Sequence, residues 1–222
     1  MLSFTIKGTP SEGWCIQGKK KAAQTRGGQP LILPTEALAT AIANQLTEQG
    51  PKSPLFLIAS AGIDLVRPDM PNHVAEAMRF LDTDLTCYRT PEPHDLRAAQ
   101  DKAWDPVWAW AKGVGLHPLK RTEAVSAIEQ DKTVRKGLQR QLEMLDFWHL
   151  LLCHRVTHQV GSVLMGLMFA KGDIDAERLY QSAFVEEHYQ TGRYGPEAEL
   201  DKKLAVNRAV MDELYAFRNL LS

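Results

Sequence analysis

The sequence predicts an α+β protein, with a small N-terminal β domain followed by a larger, all-helical bundle domain. Three observations predict it. Residues 2–33 alternate apolar and polar side chains between turn formers, residues beyond Gly50 carry apolar positions at helical spacing, and no internal repeat or low-complexity segment interrupts either pattern. The expected division is therefore 1–50, a β domain with its connecting helix, and 51–222, a helical domain.

In the first part, Phe4 and Ile6 alternate with Thr5 and Lys7. Trp14, Cys15 and Ile16 follow a Pro10/Gly13 turn, and Leu31-Ile32-Leu33 follows Gly27-Gly28. Three or four short strands are implied. Thr35 then stands before an apolar stripe at Leu38, Ala41, Ile42 and Leu46, so its hydroxyl is expected to cap a helix that Gly50-Pro51 ends. Further on, Val74, Met78 and Leu81 keep a helical period, as do Leu138, Leu142, Leu145 and Trp148. Asp105 before Pro106 reads as an N-cap followed by proline at the first helical position, which would put Gln100 and Trp104 on one helix and Trp108 and Trp110 on the next. The apolar window from Leu145 to Ala170 reads as a buried helix, closed by Gly172, with Asp175 capping its successor. Gly192 and Gly195-Pro196 are expected to break that successor before a last amphipathic helix through Leu204, Val210, Leu214 and Phe217.

Composition narrows the function. At 222 residues, with 44% hydrophobic and 24% charged side chains, the chain is long enough for a substantial core and is neither fibrous nor disordered. A formal charge of −1 lacks the positive field that would hold the molecule on nucleic acid or anionic lipid, and neither partner is expected. Cys15, Cys87 and Cys153 are odd in number and far apart, which fits a reducing compartment rather than a disulfide framework. Met1 runs directly into strand-like sequence with no basic and apolar leader, and His149, His154, Arg155, His158 and Gln159 interrupt the most apolar window. Neither export nor membrane insertion is expected.

No complete catalytic constellation is visible. His149 with Cys153, and His154 with His158, are each spaced i, i+4 on a helix, but the two pairs face about 100° apart and do not converge on one ion, so no metal or other cofactor is expected. Gly161-Ser162 lacks the spacing of a nucleophile elbow, and small residues there suit close helix contact. Lys19-Lys20-Lys21 with Arg26 reads as a solvated hairpin tip. Glu186-Glu187-His188-Tyr189-Gln190, followed by Arg193-Tyr194-Gly195, couples adjacent carboxylates to two aromatic rings near a helix end. Neighbours at i, i+1 point to different faces, so one carboxylate is expected to face inward or a partner and the other water. Aromatic and charged groups of this kind suit an interface hot spot, and a solvated helix surface is the plain alternative.

Several passages, in order, resemble one family. They are Leu31-Ile32-Leu33-Pro34-Thr35-Glu36-Ala37-Leu38-Ala39, Ala61-Gly62-Ile63-Asp64, Thr83-Asp84-Leu85-Thr86-Cys87-Tyr88-Arg89, Trp104-Asp105-Pro106, Gly161-Ser162-Val163-Leu164, and Glu186 to Gln190 with Tyr194-Gly195. Together they resemble the assembly chaperones for the alpha subunit of the F-type ATP synthase catalytic head, found in mitochondria and related bacteria. The resemblance implies a non-enzymatic, ATP-independent chaperone, expected as a monomer, that binds the free alpha subunit in the bacterial cytoplasm or the mitochondrial matrix. It places Glu187 on the family's critical acidic position, and the partner-binding set it implies is Glu187, Glu186, Tyr189, Gln190, Tyr194, Asp84 and Arg89. Two other classes stay open. One is an interaction module with a different client. The other is a small-molecule enzyme using Glu187, Asp84 or His158, which requires a pocket where two of them converge.

Overall fold

The structure is a computed structural model in which residues 4–19 and 21–222 are described, so the expectations that fall on Leu2 and Lys20 lie outside the described residues. The chain divides into two compact units, residues 1–70 with 213–222, and residues 71–212. Beyond the expected 1–50, the first unit takes in the next twenty residues and the last ten.

The first unit carries a three-stranded antiparallel sheet of order β1 (Thr5–Thr9), β2 (Gly13–Gln17) and β3 (Ile32–Leu33). Thr9 pairs with Gly13 across the hairpin, and Trp14 and Cys15 pair with Leu33 and Ile32. Helix α1 (Glu36–Gln49) begins as expected, with Thr35 Oγ1 accepting from Leu38 N at 3.1 Å, and ends at Gly50 with φ 71°. Its apolar stripe, Leu38, Ile42 and Leu46, is buried, as are Ile16, Leu31 and Leu33 from the sheet side of the unit. Helix α2 (Pro54–Ala61) passes into a π-turn at Gly62–Val66. There the Asp64 carboxylate accepts from Thr25 Oγ1 at 2.5 Å and Gly27 N at 2.8 Å. A Cβ at Gly27 would stand 2.8 Å from that carboxyl carbon, so the close approach requires glycine.

The second unit is helical: α3 (Met70–Met78, from residue 71), α4 (His94–Gly113), α5 (Lys132–Glu143), α6 (Phe147–Val160), α7 (Val163–Ala170), α8 (Ala176–Ala183), α9 (Val185–Tyr194) and α10 (Ala198–Asn219, to residue 212). Asp131, Asp146, Ser162 and Asp175 cap α5, α6, α7 and α8 with their side chains. The most buried layer comes from α6 and α7, where Leu150, Leu152, Cys153, Val163, Leu164, Met165, Leu167 and Phe169 have no exposed surface. Gly166 permits that contact: a Cβ there would meet Thr157 Oγ1 at 2.3 Å and Cys153 O at 2.6 Å.

Three expectations are corrected. Asp105-Pro106 does not start a helix, because α4 runs through it and carries Gln100, Trp104, Trp108 and Trp110 together. An interior proline removes one hydrogen bond and costs about 3 kcal/mol. Burial of Gln100, Trp104, Val107 and Ala111 along one face opposes that cost, and Lys102 and Pro106 both line a solvent-open groove of about 690 Å³, so the bond is lost outside the dry core. The window from Leu145 to Ala170 is two helices, since Gly161 turns left-handed at φ 73° and Ser162 caps α7. The break expected at Gly192 falls instead at Phe184, whose N–H closes α8 onto Tyr180 O, while Gly195 at φ 88° ends α9.

Candidate partner-binding site

Helix α9 has no fully buried side chain among its ten residues, unlike the caps and core around it. It is held instead by polar ties to α4 and α10. Gln100 Nε2 donates to Glu186 at 2.7 Å, Tyr189 Oη donates to Asp95 at 2.7 Å, and Arg193 bonds the other Asp95 oxygen at 2.9 Å. On the other face, Lys203 Nζ donates to Glu187 at 2.9 Å. The i, i+1 carboxylates thus do point apart, one to α4 and one to α10. Among the described residues, His188 Nε2 and Thr191 Oγ1 on this helix are buried without a hydrogen-bond partner. The Tyr189 hydroxyl holds the Asp95 carboxyl below the usual carboxylate range, and burial and that bond together raise the Tyr189 phenol.

Glu186 and Glu187 line a cleft of about 240 Å³ with Leu85, Trp104, Gln159, Phe184, Lys203 and Asn207. Its walls mix the apolar side chains of Leu85, Trp104 and Phe184 with the charged ones of Glu186, Glu187 and Lys203. The Lys203 side chain is 57% exposed and that of Glu187 21%, so the pair can exchange its internal bond for one to a docking group. Next to it, Gln190 is exposed and Tyr194 is 78% exposed, with the Arg193 guanidinium 5.9 Å from the Tyr194 ring. Five of the seven residues implied by the resemblance, Glu186, Glu187, Tyr189, Gln190 and Tyr194, therefore gather on one partly exposed helix.

The other two lie in the interior. Asp84 is fully buried and accepts from Thr86 N at 3.0 Å, Thr86 Oγ1 at 2.8 Å, Ser162 Oγ at 2.9 Å and Leu164 N at 3.0 Å. Burial pushes its carboxyl above the usual range against those donors, which lower it. Arg89 is also buried. Its Nε donates to Asp101 at 2.9 Å, a terminal nitrogen donates to Thr86 O, and the guanidinium lies 4.7 Å from the Trp104 ring centroid. Burial raises the Asp101 carboxyl, but hydrogen bonds from Arg89 and Arg97 outweigh it and hold it below its ordinary value. Neither Asp84 nor Arg89 offers a free face to a partner, because all the polar capacity described is spent on the segment 82–90 and its neighbours.

The cleft contains Glu187 but neither Asp84 nor His158, so the three carriers suggested for a small-molecule enzyme do not converge there. His158 packs on the rings of Phe80 and His154, and His149 turns to Asp146 at 2.9 Å. Asp95, Gln100 and Lys203 belong to the site although sequence reasoning did not place them in it. The only prior signals were the acidic first turn of α4 and the prominence of Gln100 beside the tryptophans, since Lys203 arrives through the return of α10.

Comparisons with known proteins agree with this architecture. The model of the ATP12 chaperone protein family matches residues 4–112. The crystal structure of Atp12 from Paracoccus denitrificans superposes over 100% of this chain and 96% of its own, with TM-score 0.88 and 30% identity. An Asp-to-Lys mutant of that protein gives TM-score 0.90 and 31% identity over 99% of this chain and 96% of its own. The mitochondrial protein atp12 of Schizosaccharomyces pombe is 27% identical over 126 residues, 54% of this chain and 43% of that protein, so the match spans less than half of the curated relative's length. On the fold, the ordered motifs and these matches, the chain belongs to the ATP12 chaperone family.

Proposed function

We propose that this protein is an ATP-independent chaperone that binds the free alpha subunit of ATP synthase and supports assembly of the catalytic head, in the bacterial cytoplasm or the mitochondrial matrix according to its source. The observation that carries the reading is the state of α9. A ten-residue helix with no fully buried side chain, tied by exchangeable ion pairs and ending in an exposed tyrosine, is suited to docking another polypeptide. Family membership supports a chaperone role, and no helix among the described residues is long and apolar enough to cross a membrane.

A subunit awaiting its ring neighbour exposes apolar surface that aggregates. A chaperone that competes for that surface without nucleotide must bind well enough to protect it and weakly enough for the assembly contacts to displace it. In this reading the exposed Tyr194 ring supplies contact area, and Glu187 and Gln190 supply orientation. The test is whether the purified protein keeps isolated alpha subunit soluble without nucleotide. Soluble complex from the wild type, and loss of it with Glu187→Lys at unchanged circular dichroism, is the expected result. Aggregation of alpha subunit at the same rate with and without the protein overturns the reading.

A further inference from the structure

Away from the cleft, α3 and α6 bring together four groups whose chemistry is that of a metal site. His73 and Glu76 stand at i, i+3 on α3, and His154 and His158 stand at i, i+4 on α6. One ligating atom from each of His73, Glu76 and His154 lies within 4.8 Å of the other two. His154 Nε2 is already 2.9 Å from Glu76 Oε2. The His73 and His154 ring centroids are 4.9 Å apart and tilted by 60°, and His158 lies 4.3 Å beyond His154. All of these residues belong to the second unit.

We propose that His73, Glu76 and His154 form a binding site for a divalent transition-metal ion, of which Zn²⁺ is the best fit. Two imidazoles and one carboxylate are borderline ligands that suit Zn²⁺, whereas Ca²⁺ and Mg²⁺ prefer a shell of oxygens. A tetrahedral shell with bonds of about 2.0–2.1 Å separates its donors by about 3.4 Å. Glu76 and His154 are already within hydrogen-bond range of each other, and rotation of the partly exposed His73 and Glu76 side chains closes the remaining gaps. The ion takes the place of the hydrogen bond between His154 Nε2 and Glu76 Oε2: the neutral imidazole presents Nε2 with its one proton on Nδ1, and Glu76 binds as the carboxylate, so neither ligand changes its net charge. Asn72 Nδ2, 3.5 Å from the other Glu76 oxygen, orients the carboxylate. The Glu76 side chain keeps a third of its surface exposed, which leaves an access route and an open coordination position for water. His158, braced edge-on by Phe80 at 4.9 Å, forms the far wall and is the nearest further imidazole. Such a site would clamp α3 to α6 within the unit.

The test uses the full, untagged protein stripped with chelator. Titration calorimetry with ZnCl₂ should give one ion per chain with a dissociation constant in the micromolar range or tighter, and Zn²⁺ should raise the melting temperature. In long-range ¹H–¹⁵N spectra of the wild type, Zn²⁺ should shift the ring nitrogens of His73 and His154 and leave those of His94, His117 and His149 in place. Glu76→Gln and His73→Asn, both partly exposed and expected to fold, should each weaken binding at least about tenfold. Binding that persists unchanged in these variants, or wild-type spectra in which the His73 and His154 nitrogens do not move, would overturn the proposal, whatever happens to any variant's stability.

Discussion

Gln100 and Glu186 are joined by a 2.7 Å hydrogen bond between a buried amide and a partly exposed carboxylate, and the same Gln100 amide accepts from Thr90 N at 2.9 Å. One glutamine thus links the loop before α4, α4 itself and α9. Glutamine suits the position because it supplies both a donor and an acceptor. Gln100→Leu leaves Glu186 and the Thr90 N–H without these partners, and the expected loss is about 1–3 kcal/mol of stability in urea unfolding. Amide exchange should quicken in α9 before it quickens in α6, since α9 has no buried side chain to hold it. Uniform quickening would show that Gln100 supports the unit as a whole.

Asp84 ties the segment before Tyr88 to the start of α7 through donors from Thr86, Ser162 and Leu164. In Asp84→Asn one oxygen becomes an NH₂ that faces an N–H or hydroxyl donor, so a hydrogen bond is replaced by a repulsion in a dry site. The expected cost is about 2–4 kcal/mol. Below its melting temperature the variant should still capture client in proportion to its folded fraction, because the carboxylate is out of a partner's reach. Full stability with lost capture would instead return Asp84 to the interface.

What the sequence could and could not show follows from the range of each interaction. Thr35, Asp175 and Gly195 were legible as helix ends because caps are local, set by a hydroxyl, a carboxylate or a left-handed φ within four residues. Asp105-Pro106 misled for the same reason. Its local signal fits a helix start, and only the burial of Trp104, Val107 and Ala111 on a common face keeps the helix continuous. The end of α8 at Phe184 has no glycine or proline to announce it. The α9 cluster was legible as a group of residues, but not its anchors, since Glu186 meets Gln100 across 86 positions. Arg89, which the resemblance places in the partner-binding set, is drawn inward by Asp101 and Trp104, contacts that exist only once the chain is folded. His154 and Glu76, 78 positions apart, leave no sequence trace at all.

The three thiols should separate cleanly by reactivity. Burial pushes the Cys153 thiol up to about 12, and burial with the nearby Asp84 charge pushes Cys87 higher still, while Cys15 on β2 is partly exposed. At pH 8 a thiol of pKa near 12 carries only about one thiolate in ten thousand molecules. A chromogenic thiol reagent should therefore titrate one group per native chain and all three in urea. Rapid reaction of Cys153 in the native state would mean that α6 opens, and would revive covalent chemistry there.

The Glu187–Lys203 pair allows the docking proposal to be separated from a purely structural one. An exposed ion pair contributes about 0.2–1 kcal/mol, so Glu187→Lys should move the unfolding midpoint little, with both lysines swinging into water. Adding Lys203→Glu restores an ion pair of reversed polarity between α9 and α10. If Glu187 acts only by holding α10 in place, the double variant regains client capture. If its charge meets the client, capture stays weak in the double variant while stability returns, and Lys203→Glu alone should disturb capture less than Glu187→Lys. The second pattern is expected, because Glu187 lines the cleft beside Glu186 and sits one turn from Gln190, whereas the Lys203 side chain, though it reaches Glu187, is mostly exposed. Binding measured by calorimetry beside urea midpoints for all four proteins decides between the two.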